Sequence, residues 1–427
     1  MSDLLKTKIE NPDVRAYIYK MVPKELNSNP LFVKLFGKDF ARKRLKSNAL
    51  IVYTNEAIGK NNARGYQCTS DKSITLCSAG TDGGVLTPGD IENNPQLKEA
   101  ALHESIHAIF SRTKEECSRL GCVGGTGILQ IKQVYGTDIL YEVGRGLNEG
   151  YTEWMCEKAG HKSCAYGTLT NFIYLLEAAR GTENIMALGN GNIEKLLDLP
   201  KEDVNVILAT ADSVYKVGEK ISLHKNIANS IDRDNENLSD EEKKRRAELY
   251  TQLLPEIEKI RNDVAFLSWT KEKNKSTSDN SIHEYINEVS IPDYFHSMDI
   301  LTVRFESFVL EKYFLHDLNS VFESTPIDEN NINKVEKIIS LLNSRNIGTK
   351  AHELCEGMTS IEVITRYKEL KDKYIKQVAI EEAEKYNSRS TSTKRLYKKD
   401  LTLCRWWILS ERFVYWNIML SHKKLTF

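Results

Sequence analysis

Two histidines four residues apart, with a glutamate behind the first, constrain this chain more than any other segment: His103-Glu104-Ser105-Ile106-His107. They lie inside 96–112, where apolar residues recur at helical spacing. Leu102, Ile106, Ile109 and Phe110 form one stripe, and Ala100, Ala101 and Ala108 keep the neighbouring flank slim. In a helix, positions i and i+4 share a face one turn apart. Both imidazoles therefore point the same way, as two nitrogens on one metal ion must. Glu104 falls about 100° further round. That puts it beside the metal face and off it, where a carboxylate serves as general base toward water. The competing reading is a core helix whose histidines only hydrogen-bond.

A second pattern begins at Leu147. Leu147, Tyr151, Trp154 and Met155 make an apolar helical stripe, and Glu149 and Glu153 stand at i and i+4 on another face. A two-histidine zinc site needs a third protein ligand and keeps its fourth position open. Glu149 meets that need. Glu153 is then free to accept the other ring N–H of a ligating histidine and fix its tautomer. The competing reading is a solvated acidic face, which fits poorly with Gly150, Tyr151 and Trp154 between the acids. His161 is the rival third ligand. It follows Gly160, a residue suited to ending the helix, and a histidine there is more ordinarily a surface group favoured by the helix dipole.

At these residues the chain resembles the gluzincin metallopeptidases, the thermolysin-like class. That class carries HExxH on one helix and Asn-Glu-x-x-x-Asp/Glu on the next, and Asn148-Glu149-Gly150-Tyr151-Thr152-Glu153 matches the second pattern. The resemblance covers about residues 74–160 and at most reaches 217. It implies His103, His107 and Glu149 as zinc ligands, Glu104 as general base, and Glu153 as the acid behind a ligating histidine. One departure stands out: 42 positions separate His107 from Glu149, more than in thermolysin, which implies an insertion. The Asn-Glu-Gly-x-Thr-Glu wording also looks like that of bacterial and phage proteins with a peptidase-like domain. Metzincins fit less well, because no histidine follows His107 until His161.

Length and charge narrow the rest. A chain of 427 residues predicts two to three domains. A formal net charge of −1 offers no argument for nucleic acid or a membrane surface. The N-terminus has no apolar core of a secretory signal, and no apolar run is long enough to span a bilayer. The eight cysteines (Cys68, Cys77, Cys117, Cys122, Cys156, Cys164, Cys355 and Cys404) form no CxxC pair. Scattered thiols without a signal predict a reducing cytoplasm.

The organisation read from the pattern is α+β and mostly helical. Residues 1–48 read as an N-terminal helical segment, with helices over 12–21 and 29–46. Residues 49–220 read as a zincin-like domain: a small antiparallel sheet plus the two metal helices. Its strands are expected at 49–54, 65–69 and 73–77, the last two forming a hairpin about Asp71-Lys72. Ser73–Ala79 is the expected edge strand, beside which an extended substrate backbone would pair. The glycine-rich stretch 117–145 reads as a mobile insertion near the cleft. Gly124-Gly125-Thr126-Gly127 is not a phosphate loop, since no Gly-Lys-Ser/Thr follows. Helices are expected over 167–180, 192–197 and 201–217. Residues 221–427 read as an all-α C-terminal domain, with a Ser/Thr linker at 388–393 and an aromatic helix at 401–420 suited to burial.

The expected function is a cytoplasmic zinc-dependent metallopeptidase, hydrolysing peptide bonds through a zinc-activated water with Glu104 as general base. Its partners would be a protein or peptide substrate, with no nucleic acid and no membrane. A group is also needed for the developing oxyanion. Tyr151 is taken as the catalytic tyrosine, with Tyr166, Tyr215 and His224 as further candidates. The alternative function is a binding or regulatory protein on a zincin scaffold, acting through its helical C-terminal half. A zinc hydrolase with a non-peptide substrate is a third.

Overall fold

The computed structural model describes residues 9–48, 50–54, 65–67, 73–77, 86–161, 165–190, 192–232, 238–274, 278–324, 327–344 and 358–387. The expected Asp71-Lys72 turn, the 388–393 linker and the 401–420 segment lie outside them.

Strand β1 (Ile9–Glu10) leads into α1 (Pro12–Asn27), α2 (Pro30–Phe36) and α3 (Phe40–Asn48). Asn11 and Asn29 cap α1 and α2 with their side-chain oxygens, each just before a proline, where the missing proline N–H is not needed. The single helix expected over 29–46 breaks at Gly37, whose φ of 85° ends α2.

Strands β2 (Leu50–Thr54), β3 (Gly65–Gln67) and β4 (Ser73–Cys77) join β1 in a sheet of order β1-β2-β4-β3. The expected β3–β4 hairpin pairing is present and antiparallel, but β2 and β4 run parallel, Leu50 opposite Ser73 through Thr54 opposite Cys77. The sheet is therefore mixed, not antiparallel. The edge assignment also changes. All five residues of β4 are buried, as in a strand flanked on both sides, and among the described strands the edges are β1 and β3.

Thr87 closes a capping box on α4 (Pro88–Asn93), and Asn94 caps the HExxH helix α5 (Pro95–Ile109). After α6 (Lys114–Leu120) comes a three-stranded antiparallel sheet where a mobile insertion was expected: β5 (Gly124–Thr126), β6 (Leu129–Gln133) and β7 (Leu140–Val143). Helix α7 (Arg145–Lys158) follows at once, then α8 (Gly167–Arg180), α9 (Thr182–Ala187), α10 (Ile193–Leu197) and α11 (Lys201–Ile231). The remaining helices are α12 (Asp240–Arg261), α13 (Val264–Glu272), α14 (Asp279–Tyr285), α15 (Ile291–Val309), α16 (Leu315–Glu323), α17 (Glu329–Ser344) and α18 (Ser360–Asn387). One-turn π segments, Ile286–Ser290 and Leu310–Phe314, join α14 to α15 and α15 to α16.

The described residues fall into two compact units, those within Met1–Asp317 and Lys337–Ile364, and those within Leu318–Glu336 and Thr365–Phe427. The boundary expected near residue 220 falls inside α11, which packs on both α7 and α15. The described residues of 221–317 thus belong in one unit with α5 and α7. In the second unit, Tyr367 and Lys371 of one helix both bind Glu336. No helix among the described residues is long and apolar enough to cross a membrane.

Helix α7 is central to the first unit. Residues 146–156 are all buried, so the acids of this segment do not form a solvated face. Two glycines make the packing close. A Cβ on Gly146 would sit 2.1 Å from the Ala211 carbonyl of α11, and one on Gly150 would sit 2.3 Å from the Leu169 carbonyl of α8. Close backbone approach to α11 and α8 fixes where α7 lies between them.

Candidate metal centre

Helical spacing brings His103 and His107 to one face of α5, and α7 supplies the partner. The two histidines and Glu149 are 7%, 6% and 6% exposed. Their atoms form a near-equilateral triangle: His103 Nε2 to His107 Nε2 is 3.0 Å, and Glu149 Oε2 lies 3.1 and 3.2 Å from these nitrogens. A tetrahedral ion with bonds of about 2.0–2.1 Å needs edges of about 3.3 Å, so the triangle is close to one face of such a polyhedron. Among the described residues this is the one His/Cys/Asp/Glu group that converges in this way. The group is buried and able to hold a metal ion.

The electrostatics favour positive charge between these atoms. Burial opposes a proton on His103, yet its bonds to Glu149 and Glu153 outweigh that and raise its pKa well above the ordinary value. Burial alone would raise the pKa of Glu149, but the two imidazoles drive it far below the carboxylate range. A divalent ion satisfies the same three donor atoms without a proton.

Further groups hold these side chains. Glu153 Oε1 lies 2.9 Å from His103 Nδ1. On the other histidine, Asn148 Nδ2 is 3.0 Å and Thr152 Oγ1 3.4 Å from Nδ1. Asn148 Oδ1 accepts the Ile128 N–H at 2.9 Å, which fixes the amide's orientation. Asn148 therefore favours a bare Nδ1, whereas Thr152 can accept from a protonated one, the tautomer that leaves Nε2 for a metal. The Ser111 and Thr126 hydroxyls donate to the His107 carbonyl. The turn between β5 and β6 makes this possible: Gly127, at φ 52°, leaves no Cβ to strike Asn148 Oδ1, 2.6 Å from where it would lie.

Glu104 lies on the β3 side. Burial raises its pKa, and His103 and His107 pull it back, with Glu149 adding to the rise; a Gln67 backbone N–H also donates to it. A Cβ on Gly65 would fall 2.8 Å from Glu104 Cγ. The edge strand β3 is thus in contact with the glutamate of the motif, where the sequence had pointed to β4.

A second wall runs from His103 round to Glu149. Tyr166 stacks on the His103 ring at 5.8 Å, Tyr215 lies 6.0 Å from Tyr166, and Arg145 sits 5.8 Å over Tyr215. Burial raises the pKa of both phenols, and Glu149 raises it further. Tyr215 donates to Glu219 at 3.0 Å.

Three residues weighed for the site fall elsewhere. The Tyr151 hydroxyl donates to the Met186 carbonyl at 2.8 Å, and its ring lies between Phe110 and Trp154. It is a core residue turned away from the histidines, because the apolar stripe that announced it is the face α7 buries. His161 Nε2 is 3.6 Å from Glu25 Oε2 and outside the triad. His224 lies in the helical bundle, with Nδ1 2.6 Å from Ser290 Oγ and its ring edge-on to Tyr294. Arg145, Thr126 and Gly65 went unread in the sequence. Only Arg145 carried a signal, four residues before Glu149 on the same face.

Compared with protein-family models, curated proteins and solved structures, the chain gives no match.

Proposed function

We propose that the chain is a zinc-dependent metallopeptidase of the gluzincin kind, with His103, His107 and Glu149 as the metal ligands. The observation that carries this reading is the buried triangle of two Nε2 atoms and one carboxylate oxygen, with a second carboxylate, Glu104, on the same helix as the two histidines. Two imidazoles and one carboxylate suit zinc, which supplies Lewis acidity toward a carbonyl and toward water. The helix pair and the sheet beside it support a zincin-like arrangement.

The chain's own residues divide the remaining work. Glu104 takes the proton of the attacking water and delivers it to the leaving amine nitrogen, and its raised pKa brings it nearer the pH of operation. Tyr166, against His103, is the phenol best placed to meet a developing oxyanion. Strand β3 lies against Glu104, whose carboxylate accepts the Gln67 N–H. Among the described residues, the buried cysteines Cys77, Cys117, Cys122 and Cys156 form no disulfide, which supports a reducing compartment, the cytoplasm.

The test uses full-length protein, zinc analysis and a mixture of unstructured peptides. Wild type should carry about one zinc per chain and cleave. Glu104→Gln should carry the same zinc and not cleave. An active Glu104→Gln protein removes the general-base role. Zinc with no cleavage by wild type supports a scaffold that acts through binding instead.

A further inference from the structure

Glu149 offers only one of its oxygens to the histidines. Oε2 lies 3.1 Å and 3.2 Å from the two Nε2 atoms, whereas Oε1 faces Arg145, whose Nη1 is 3.9 Å away. Arg145 is one turn earlier on α7, so the two side chains share a face. The guanidinium is itself tied down. Its Nε and Nη2 donate to the two oxygens of Glu142 on β7 at 2.5 and 2.7 Å, and the Tyr215 ring of α11 lies under it. Three elements therefore fix one cation beside the outer oxygen of a metal ligand.

We propose that Arg145 is a positioning residue that keeps Glu149 a one-oxygen ligand. This rests on the metal-site reading above. A carboxylate next to a divalent ion binds through one oxygen or through both. Attraction to a fixed guanidinium holds Oε1 back, and it also draws electron density from the carboxylate. Arg145 thus acts opposite to Glu153, which stands behind His103 and makes that imidazole a stronger donor. Because the guanidinium adds positive potential at the site, its removal does not weaken metal binding. A residue that merely braced α7 would have the reverse effect, loosening the metal and the fold together.

The experiment uses Co2+ as the probe on full-length wild type, Arg145→Met, Arg145→Gln and Arg145→Lys. Visible absorption reports coordination number, and competition with a chelator reports affinity. Arg145→Met should hold Co2+ as tightly as wild type, or more tightly, with a weaker visible band because a second carboxylate oxygen joins. Arg145→Lys, which keeps the charge, should restore most of the wild-type band. An Arg145→Met band identical to wild type overturns the proposal, as does a loss of affinity of about 10–100-fold, the usual result of removing a supporting contact. If Arg145→Met does not fold, Arg145→Gln must weaken the band in the same way, and an unchanged band there is equally fatal. A wild type that binds no Co2+ sinks the metal-site reading and this proposal together, whereas binding with an unaltered Arg145→Met band sinks this proposal alone.

Discussion

Glu153 Oε1 sits 2.9 Å from His103 Nδ1, while Glu149, one turn earlier on α7, reaches the Nε2 of the same ring at 3.1 Å. One helix thus places an acid at each nitrogen of one histidine. The two acids are chemically alike, but their consequences differ. A direct ligand carries coordination energy, whereas an acid behind a ligand changes affinity by about 10–100-fold. Glu149→Ala should lose zinc under mild chelation, and Glu153→Ala should retain it with affinity reduced by about that factor. Dialysis against a graded chelator series with metal analysis decides the order. Greater zinc loss in Glu153→Ala would reverse the two assignments.

Gly65 predicts a defect in catalysis without a defect in metal binding. An alanine Cβ there would lie 2.8 Å from Glu104 Cγ and 3.4 Å from the Ala100 side chain, so Glu104 must move. A displacement near 1 Å costs about 100-fold in rate. Gly65→Ala should therefore keep full zinc and cleave about 10–100-fold more slowly. Cleavage at the wild-type rate would show that Glu104 needs no such precision.

The two tyrosines should separate cleanly. Tyr151→Phe leaves the Met186 carbonyl without its donor in the core, a loss of about 1–3 kcal/mol in stability, and should leave cleavage of the folded protein unchanged. Tyr166→Phe should unfold near the wild-type temperature and lose turnover, with kcat falling more than KM rises. Thermal melts and steady-state kinetics on both variants test this. A turnover defect in Tyr151→Phe would return that residue to the site.

His224 gives stability a pH dependence. Burial lowers its pKa to about 4, with Lys220 also lowering it and Glu256 raising it, while the unfolded value stays near 6.5. The folded pKa is the depressed one. Its contribution is therefore fully present above about pH 6.5 and is lost as pH falls toward 4. At most about 3 kcal/mol is at stake. His224→Gln should show a flatter melting profile between pH 6.5 and 4 than wild type. Parallel profiles would remove His224 as the cause.

Local chemistry made much of this protein legible in one dimension. The spacing of His103 and His107, the position of Glu104 and the i, i+4 pair Glu149 and Glu153 follow from helix periodicity, which needs no distant residue. Helix α8 falls on the residues expected, 167–180, because its apolar repeat is unbroken and Gly181 ends it. Long-range pairing was a different matter. The order β1-β2-β4-β3 depends on which strand reaches which neighbour, and β3 and β4 carry no local mark of edge or interior beyond a few side chains. The stretch 117–145 read as a mobile insertion because its glycines suggest freedom, yet three short strands pair there, and Thr126 of β5 donates to the His107 carbonyl. Tyr151 failed for a related reason. A tyrosine two residues after Glu149 is on another face of the helix, and only the packing of α7 on α5, α8 and α11 decides which face meets the two histidines and which the core.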